Sequence, residues 1–86
     1  MSNQFKILLF AKVKEVIGKD SIFIDLPLDE STSFNLIRKL KHIYPQISST
    51  LEVSLLAVNQ EYISRDQDIK INSNDEIAII PPVSGG

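Results

Sequence analysis

The last six residues, Pro81-Pro82-Val83-Ser84-Gly85-Gly86, are the stretch whose residue types and order point most directly to chemistry. From Ile77 onward no side chain is charged, so the terminal carboxylate is the ionised group of the segment. Such a segment can enter a narrow protein channel without stranding a charged side chain there. Two terminal glycines remove side-chain obstruction and let another protein's backbone come close. The two prolines cannot donate to a strand ladder and favour a stiff, extended exit. Fully extended, the segment would reach about 20 Å. A carboxylate that is activated and attacked inside another protein's site needs these properties. Ser-Gly-Gly alone is also the composition of a frayed end or a cloning remnant. The Pro-Pro-Val and the charge-free run joined to a strand favour a functional tail.

Other candidate chemistry is sparse. The chain has no cysteine, hence no disulfide framework, thiolate metal site or thiol nucleophile, and its single His42 excludes a multi-histidine metal cluster. Asp66 and Asp68 with Asn72, Asn74 and Asp75 superficially suggest a calcium loop, but the glycine and the bidentate glutamate are not at the required offsets, so they read as solvated turns. Ser84 has no base nearby in sequence, and its small size is the simpler reason for its presence. Arg38, Lys39, Lys41 and His42 read as a solvated helix face, with contact to an acidic partner patch as the alternative. Lys14 and Glu15 read as surface helix charge, with a place in a docking surface as the alternative. A net charge of −2, with Lys and Arg spread along the chain, argues against a nucleic-acid partner. With 43% hydrophobic residues the chain is too apolar for disorder. The longest apolar run near the start, residues 7–11, is too short for a membrane span or a signal-peptide core, so the default compartment is the cytoplasm. At 86 residues a single domain is expected.

The elements that must position the tail follow from periodicity. Residues 5–10 are short, apolar and β-prone, with Phe5, Ile7 and Leu9 on one face and Lys6, Leu8 and Phe10 on the other. Residues 12–17 predict one or two helical turns ended by Gly18. Residues 21–26 alternate as a second strand that Pro27 ends. Residues 33–44 predict the main helix, with Ser33 as N-cap, an apolar stripe of Leu36, Ile37, Leu40, Ile43, Tyr44 and Ile47, and Pro45 as its stop. After a polar stretch, residues 55–58 form a strand, Asn59-Gln60 a tight turn and residues 62–63 a short return. Residues 66–75 are turn-rich. Residues 76–80 form the last strand, with Ile77 and Ile79 facing one way and Ala78 and Ile80 the other. One such helix cannot cover both sheet faces, so the other face meets solvent or a partner.

Three stretches, 10–15 with Gly18, 56–60, and 74–78 running into Pro81-Pro82-Val83-Ser84-Gly85-Gly86, resemble the small, sulfur-carrying subunits of molybdopterin synthase, a ubiquitin-like β-grasp family. With the helix they cover nearly the whole chain. The Pro-Pro-Val-Ser-Gly-Gly ending is the most discriminating part, because Gly-Gly alone is shared with ubiquitin-like modifiers and with the thiazole-pathway sulfur carrier. The resemblance implies an α+β β-grasp domain over 1–80, a mixed sheet of four to five strands with one main helix on one face, and an extended tail over 81–86. It implies that a ubiquitin-activating-type adenylyltransferase/sulfurtransferase joins the Gly86 carboxylate to AMP from ATP, and that sulfur then replaces the adenylate to give a thiocarboxylate. Pro81, Pro82, Val83, Ser84 and Gly85 would enter the large synthase subunit. There Gly86 would give sulfur to precursor Z, the cyclic pyranopterin monophosphate, to make molybdopterin. On this reading the isolated chain is not an enzyme and binds no metal or cofactor, and two carriers join two large subunits in a heterotetramer. Phe10, Tyr62 and Ile80 would grip the partner; where relatives often carry an aromatic, this chain has Ile80, implying a smaller contact. The alternatives are a carrier for thiazole synthesis or tRNA thiolation, a modifier conjugated through Gly86, and an adaptor that uses only its sheet face.

Overall fold

The computed structural model describes residues 2–82. β1 (Ser2–Leu9) buries Phe5, Ile7 and Leu9 on one face, as the alternation predicts. It starts at Ser2, ahead of the apolar signal, because polar Ser2 and Asn3 still pair with Pro27 and Leu26 of β2 (Ser21–Pro27). Between them lies α1 (Ala11–Ile17), which pins Val13 into the core. It ends at Gly18, whose φ of 80° only glycine adopts without strain and whose N–H donates to the Lys14 carbonyl at 2.8 Å.

α2 (Ser33–Ile43) is the main helix, and it corrects the predicted cap. The N-cap is Thr32, whose Oγ1 accepts from the Asn35 N–H at 3.3 Å. Ser33 is buried instead, and its hydroxyl accepts from the Ile69 N–H at 3.0 Å. Asp68 supplies a second cap from outside the helix, its carboxylate accepting from the Phe34 N–H at 2.9 Å. Of the predicted stripe, Leu36, Leu40 and Ile47 are buried and Ile37 and Tyr44 pack against them, while Ile43 is exposed. The helix stops one residue before Tyr44. Pro45 opens a 3-10 turn that leads into a helix the sequence reading took for a polar stretch, α3 (Ser48–Val53). Ser, Ser and Thr are weak helix formers, and α3 is held chiefly by one buried side chain, Leu51.

β3 (Leu55–Val58) and β4 (Glu61–Ile63) form a hairpin across Asn59-Gln60, whose φ values of 53° and 69° fit a primed two-residue turn. β5 (Ile77–Ile80) enters the middle of the sheet, parallel to β1 and antiparallel to β3. The order is β2-β1-β5-β3-β4, a mixed five-stranded sheet. The helices lie on the face that buries Phe5, Ile7, Ile22, Ile24, Ile77 and Ile79. Residues 66–75 are irregular, as expected, yet Ile71 within them is fully buried and its N–H donates to the Ser31 carbonyl at 3.0 Å. Among the described residues, no helix is long and apolar enough to cross a membrane.

Candidate docking face and tail exit

Strand alternation turns the other set of side chains to the helix-free face, and the register brings them into rows. Ser21, Leu8, Ala78, Ala57 and Tyr62 stand side by side across all five strands. Ala57 and Ala78 form a flat floor in the middle of this row, and Tyr62 is 66% exposed at its end. One step toward the C-terminal end of β5, Ile80 pairs with Leu55. Continuing the β1–β5 register from Leu9↔Ile79 by one residue sets Phe10 level with Ile80 on the other side.

Phe10 lies just past β1, as the N-cap of α1, rather than inside the strand as predicted. Its backbone is still extended, with φ −134° and ψ 156°, and the chain turns only at Ala11, whose φ is +50°. A non-glycine residue in that region costs about 1–2 kcal/mol. The turn leaves Phe10 46% exposed instead of carrying it into the core. Phe10, Ile80 and Leu55 therefore form an uncharged apolar cluster at the point where the chain leaves β5, with Tyr62 beyond them. Pro81 is buried and Pro82 exposed, so the chain departs from the packed surface after Pro81. Val83, Ser84, Gly85 and Gly86 lie outside the described residues.

Three of the candidate residues, Phe10, Tyr62 and Ile80, thus share one sheet face. The sequence reading missed Leu55 as their neighbour. Alternation within residues 55–58 sets Leu55 and Ala57 on one face, but it is the β3–β5 register, Leu55 against Ile80, that turns this face outward beside the exit. Phe23 is also exposed on this face, but it sits on edge strand β2 opposite Lys6, away from the exit.

A second missed feature holds the exit strand in place. Asn59 donates through Nδ2 to Asp75 Oδ1 at 3.0 Å, and its Oδ1 accepts the Glu76 N–H at 2.9 Å. The Asn59 N–H donates to the Glu76 carbonyl at 2.7 Å, and Asp75 Oδ2 accepts the Asn72 N–H at 2.7 Å. Asp75, read from sequence as a solvated turn residue, instead ties the β3–β4 turn to the start of β5. Besides this, Lys14 Nζ of α1 meets Asp20 Oδ1, just past the helix, at 2.8 Å. The hydrogen bond and charge of Lys14 hold the Asp20 carboxyl below its ordinary 3.8. Among the described residues, no group of three or more His, Asp or Glu is placed to hold a metal ion. This face can seat an apolar partner surface and direct a chain end into it.

Comparison with known proteins agrees with this arrangement. The chain is 35% identical over 83 residues to a molybdopterin synthase sulfur carrier subunit of Chlamydomonas reinhardtii, covering 96% of this chain and 99% of that one. Small archaeal modifier protein 1 from Methanosarcina acetivorans superposes with a TM-score of 0.79 at 20% identity, covering 100% and 99% of the two chains. A chain from the complex of subunits 1 and 2 of the molybdopterin-converting factor from Helicobacter pylori superposes with a TM-score of 0.60 at 21% identity, covering 96% and 99%. These likenesses place the fold as a ubiquitin-like β-grasp. The model of the ThiS family matches residues 7–86, through both glycines of the tail, and this chain belongs to that family.

Proposed function

We propose that this chain is the sulfur carrier of molybdenum cofactor biosynthesis, acting through the carboxylate of Gly86. One observation supports this above the others: β5 runs from the centre of the sheet, past the apolar cluster of Phe10, Leu55 and Ile80, straight into an uncharged segment that the family match follows to Gly86. The name carried by the Chlamydomonas relative supports the same role.

A terminal carboxylate is ionised at neutral pH and is a poor acyl electrophile. In the proposed cycle a ubiquitin-activating-type adenylyltransferase lets a Gly86 carboxylate oxygen attack the α-phosphate of ATP, releasing pyrophosphate. A sulfur nucleophile then displaces AMP, and the C-terminus becomes a thiocarboxylate. The apolar cluster docks on the large synthase subunit, and residues 81–85 carry the thiocarboxylate to precursor Z. Sulfur passes to the pterin and water restores the carboxylate. The chain supplies no acid or base to these steps. For sulfur transfer to the pterin those groups come from the large subunit, in an assembly of two carriers and two large subunits, and in a cytoplasmic setting. ATP belongs to the activating enzyme, and this chain holds AMP and sulfur only transiently.

Intact mass spectrometry of the chain after incubation with ATP, its activating enzyme and a sulfur donor tests the proposal. The expected product is heavier by one oxygen-to-sulfur exchange, located on the C-terminal peptide, and competent to convert precursor Z when mixed with the large subunit. A chain that keeps a free carboxylate, or that instead appears in isopeptide linkage to lysines, overturns it.

A further inference from the structure

The helix-bearing side of the sheet is unevenly covered. α2 packs toward β2, and Leu56 and Ile63 remain only partly buried at the β3–β4 end. A groove of about 460 Å³ lies there between α2, α3 and β4. Its floor is apolar, made by Ile37, Leu51, Leu56 and Ile63, and Phe34 stands exposed at its mouth. Its lining is more cationic than anionic: Arg38, Lys41 and Arg65 stand with one lining carboxylate, Glu52, while Asp68 beside Phe34 is taken up in capping α2. Lys41 already meets Glu52 at 3.5 Å. Arg38 donates to Asn35 Oδ1 and Arg65 to the Ser54 carbonyl, each at 3.1 Å, and among the described residues neither meets a carboxylate. This positive lining belongs to a chain whose net charge is −2. β4 borders the groove as an edge strand, paired with β3 on one side only.

We infer that the groove docks an extended acidic segment of a protein partner, with one large apolar side chain on the floor and carboxylates at Arg38 and Arg65. The open edge of β4 offers the backbone of such a segment a strand to pair with. A bare phosphate or a nucleotide phosphate would answer the cations but leave the apolar floor uncovered. The groove lies on the opposite sheet face from Phe10, Leu55 and Ile80. A partner seated in it would hold the protein without covering the tail exit, so both faces can be occupied together.

The test is a titration of the full-length ¹⁵N-labelled chain with three end-blocked hexapeptides, EELFEE, KKLFKK and EEGGEE. Saturable shifts at Ile37, Leu51, Ile63 and Arg65 with EELFEE alone are expected. Arg38→Glu should weaken that binding about tenfold, since it replaces one exposed favourable charge pair by a repulsive one. Phe34→Ser, at a second exposed position, should also weaken it, and the amide spectrum of each variant reports that it is folded. Equal binding of KKLFKK or EEGGEE overturns the inference, as does absence of saturation. Shifts centred on Phe10, Leu55 and Ile80 do the same, because they place the peptide on the other face. Concentration-dependent shifts at the groove without peptide assign it to a second copy of the chain and likewise overturn it.

Discussion

Replacing Asn59 tests the lock on the exit strand, and two substitutions separate its two contributions. The side chain makes one hydrogen bond to a carboxylate, Asp75, and one to a backbone N–H, that of Glu76. Net values are about 1.5–3 kcal/mol for a bond to a charged group and about 1 kcal/mol for a neutral one. The exposure of this site favours the lower ends, so losing both should cost about 2 kcal/mol. Asn59 also sits at φ 53°, where alanine pays about 1 kcal/mol that glycine does not. Asn59→Gly should therefore destabilise by about 2 kcal/mol and Asn59→Ala by about 3 kcal/mol, a large share of the roughly 5–15 kcal/mol typical of a domain. In a chain of this size each kcal/mol lowers Tm by about 4–8 °C, so the alanine variant should melt roughly 12–24 °C lower. Urea unfolding of both variants, followed by circular dichroism, reads the difference directly. If Asn59→Ala unfolds within about 0.5 kcal/mol of the parent, the hydrogen bonds do not hold the strand in place. If Asn59→Gly proves less stable than Asn59→Ala, the backbone part of the reasoning is wrong.

Other consequences are testable in the same way. Phe10→Ser and Leu55→Ser should each weaken binding to the large synthase subunit about tenfold by calorimetry with little change in Tm, whereas Phe23→Ser, exposed on the same face but away from the exit, should leave affinity unchanged. At Gly18 an added Cβ meets no atom within 4 Å, so Gly18→Ala should cost only its backbone strain, about 1 kcal/mol, seen as a Tm lower by about 4–8 °C. Because Lys14 lowers the Asp20 pKa in the folded state, the pair favours folding above the unfolded carboxyl's pKa. That contribution is lost as pH falls through the lowered folded value. Lys14→Gln should move the Asp20 titration, followed by carboxyl ¹³C shifts, up toward its ordinary 3.8, and an unmoved titration would remove Lys14 as the cause.

Much of this architecture was legible because period and punctuation agreed. Alternation in β1, β2 and β5 placed Phe5, Ile7, Ile24, Ile77 and Ile79 inside. Gly18, Pro45 and Asn59-Gln60 marked a helix stop, another helix stop and a hairpin turn through their backbone preferences. What stayed hidden had no periodic signal. α3 rests on Leu51 among weak helix formers, and Ile71 is one apolar residue in a polar loop. The cap moved from Ser33 to Thr32 because a distant segment, residues 67–69, competes for the Ser33 hydroxyl. Asn59 and Asp75 are sixteen residues apart, and their pairing is a product of the sheet rather than of local sequence. On the docking face, Phe10 and Ile80 came from resemblance together with alternation, and Tyr62 mainly from resemblance. Leu55 required the register, which only the folded sheet provides.

The central position of β5 has a mechanical consequence. β5 is bonded to β1 on one side and to β3 on the other, and it runs parallel to β1. A pull through Pro82 along the strand, against resistance at the start of β1, therefore loads the hydrogen bonds of the β1–β5 ladder together, in shear. An edge strand drawn sideways would instead open like a zip, one bond at a time. A protein that draws the chain end into a channel thus works against the stiffest direction of this sheet, and the domain can be towed by its tail without being unravelled.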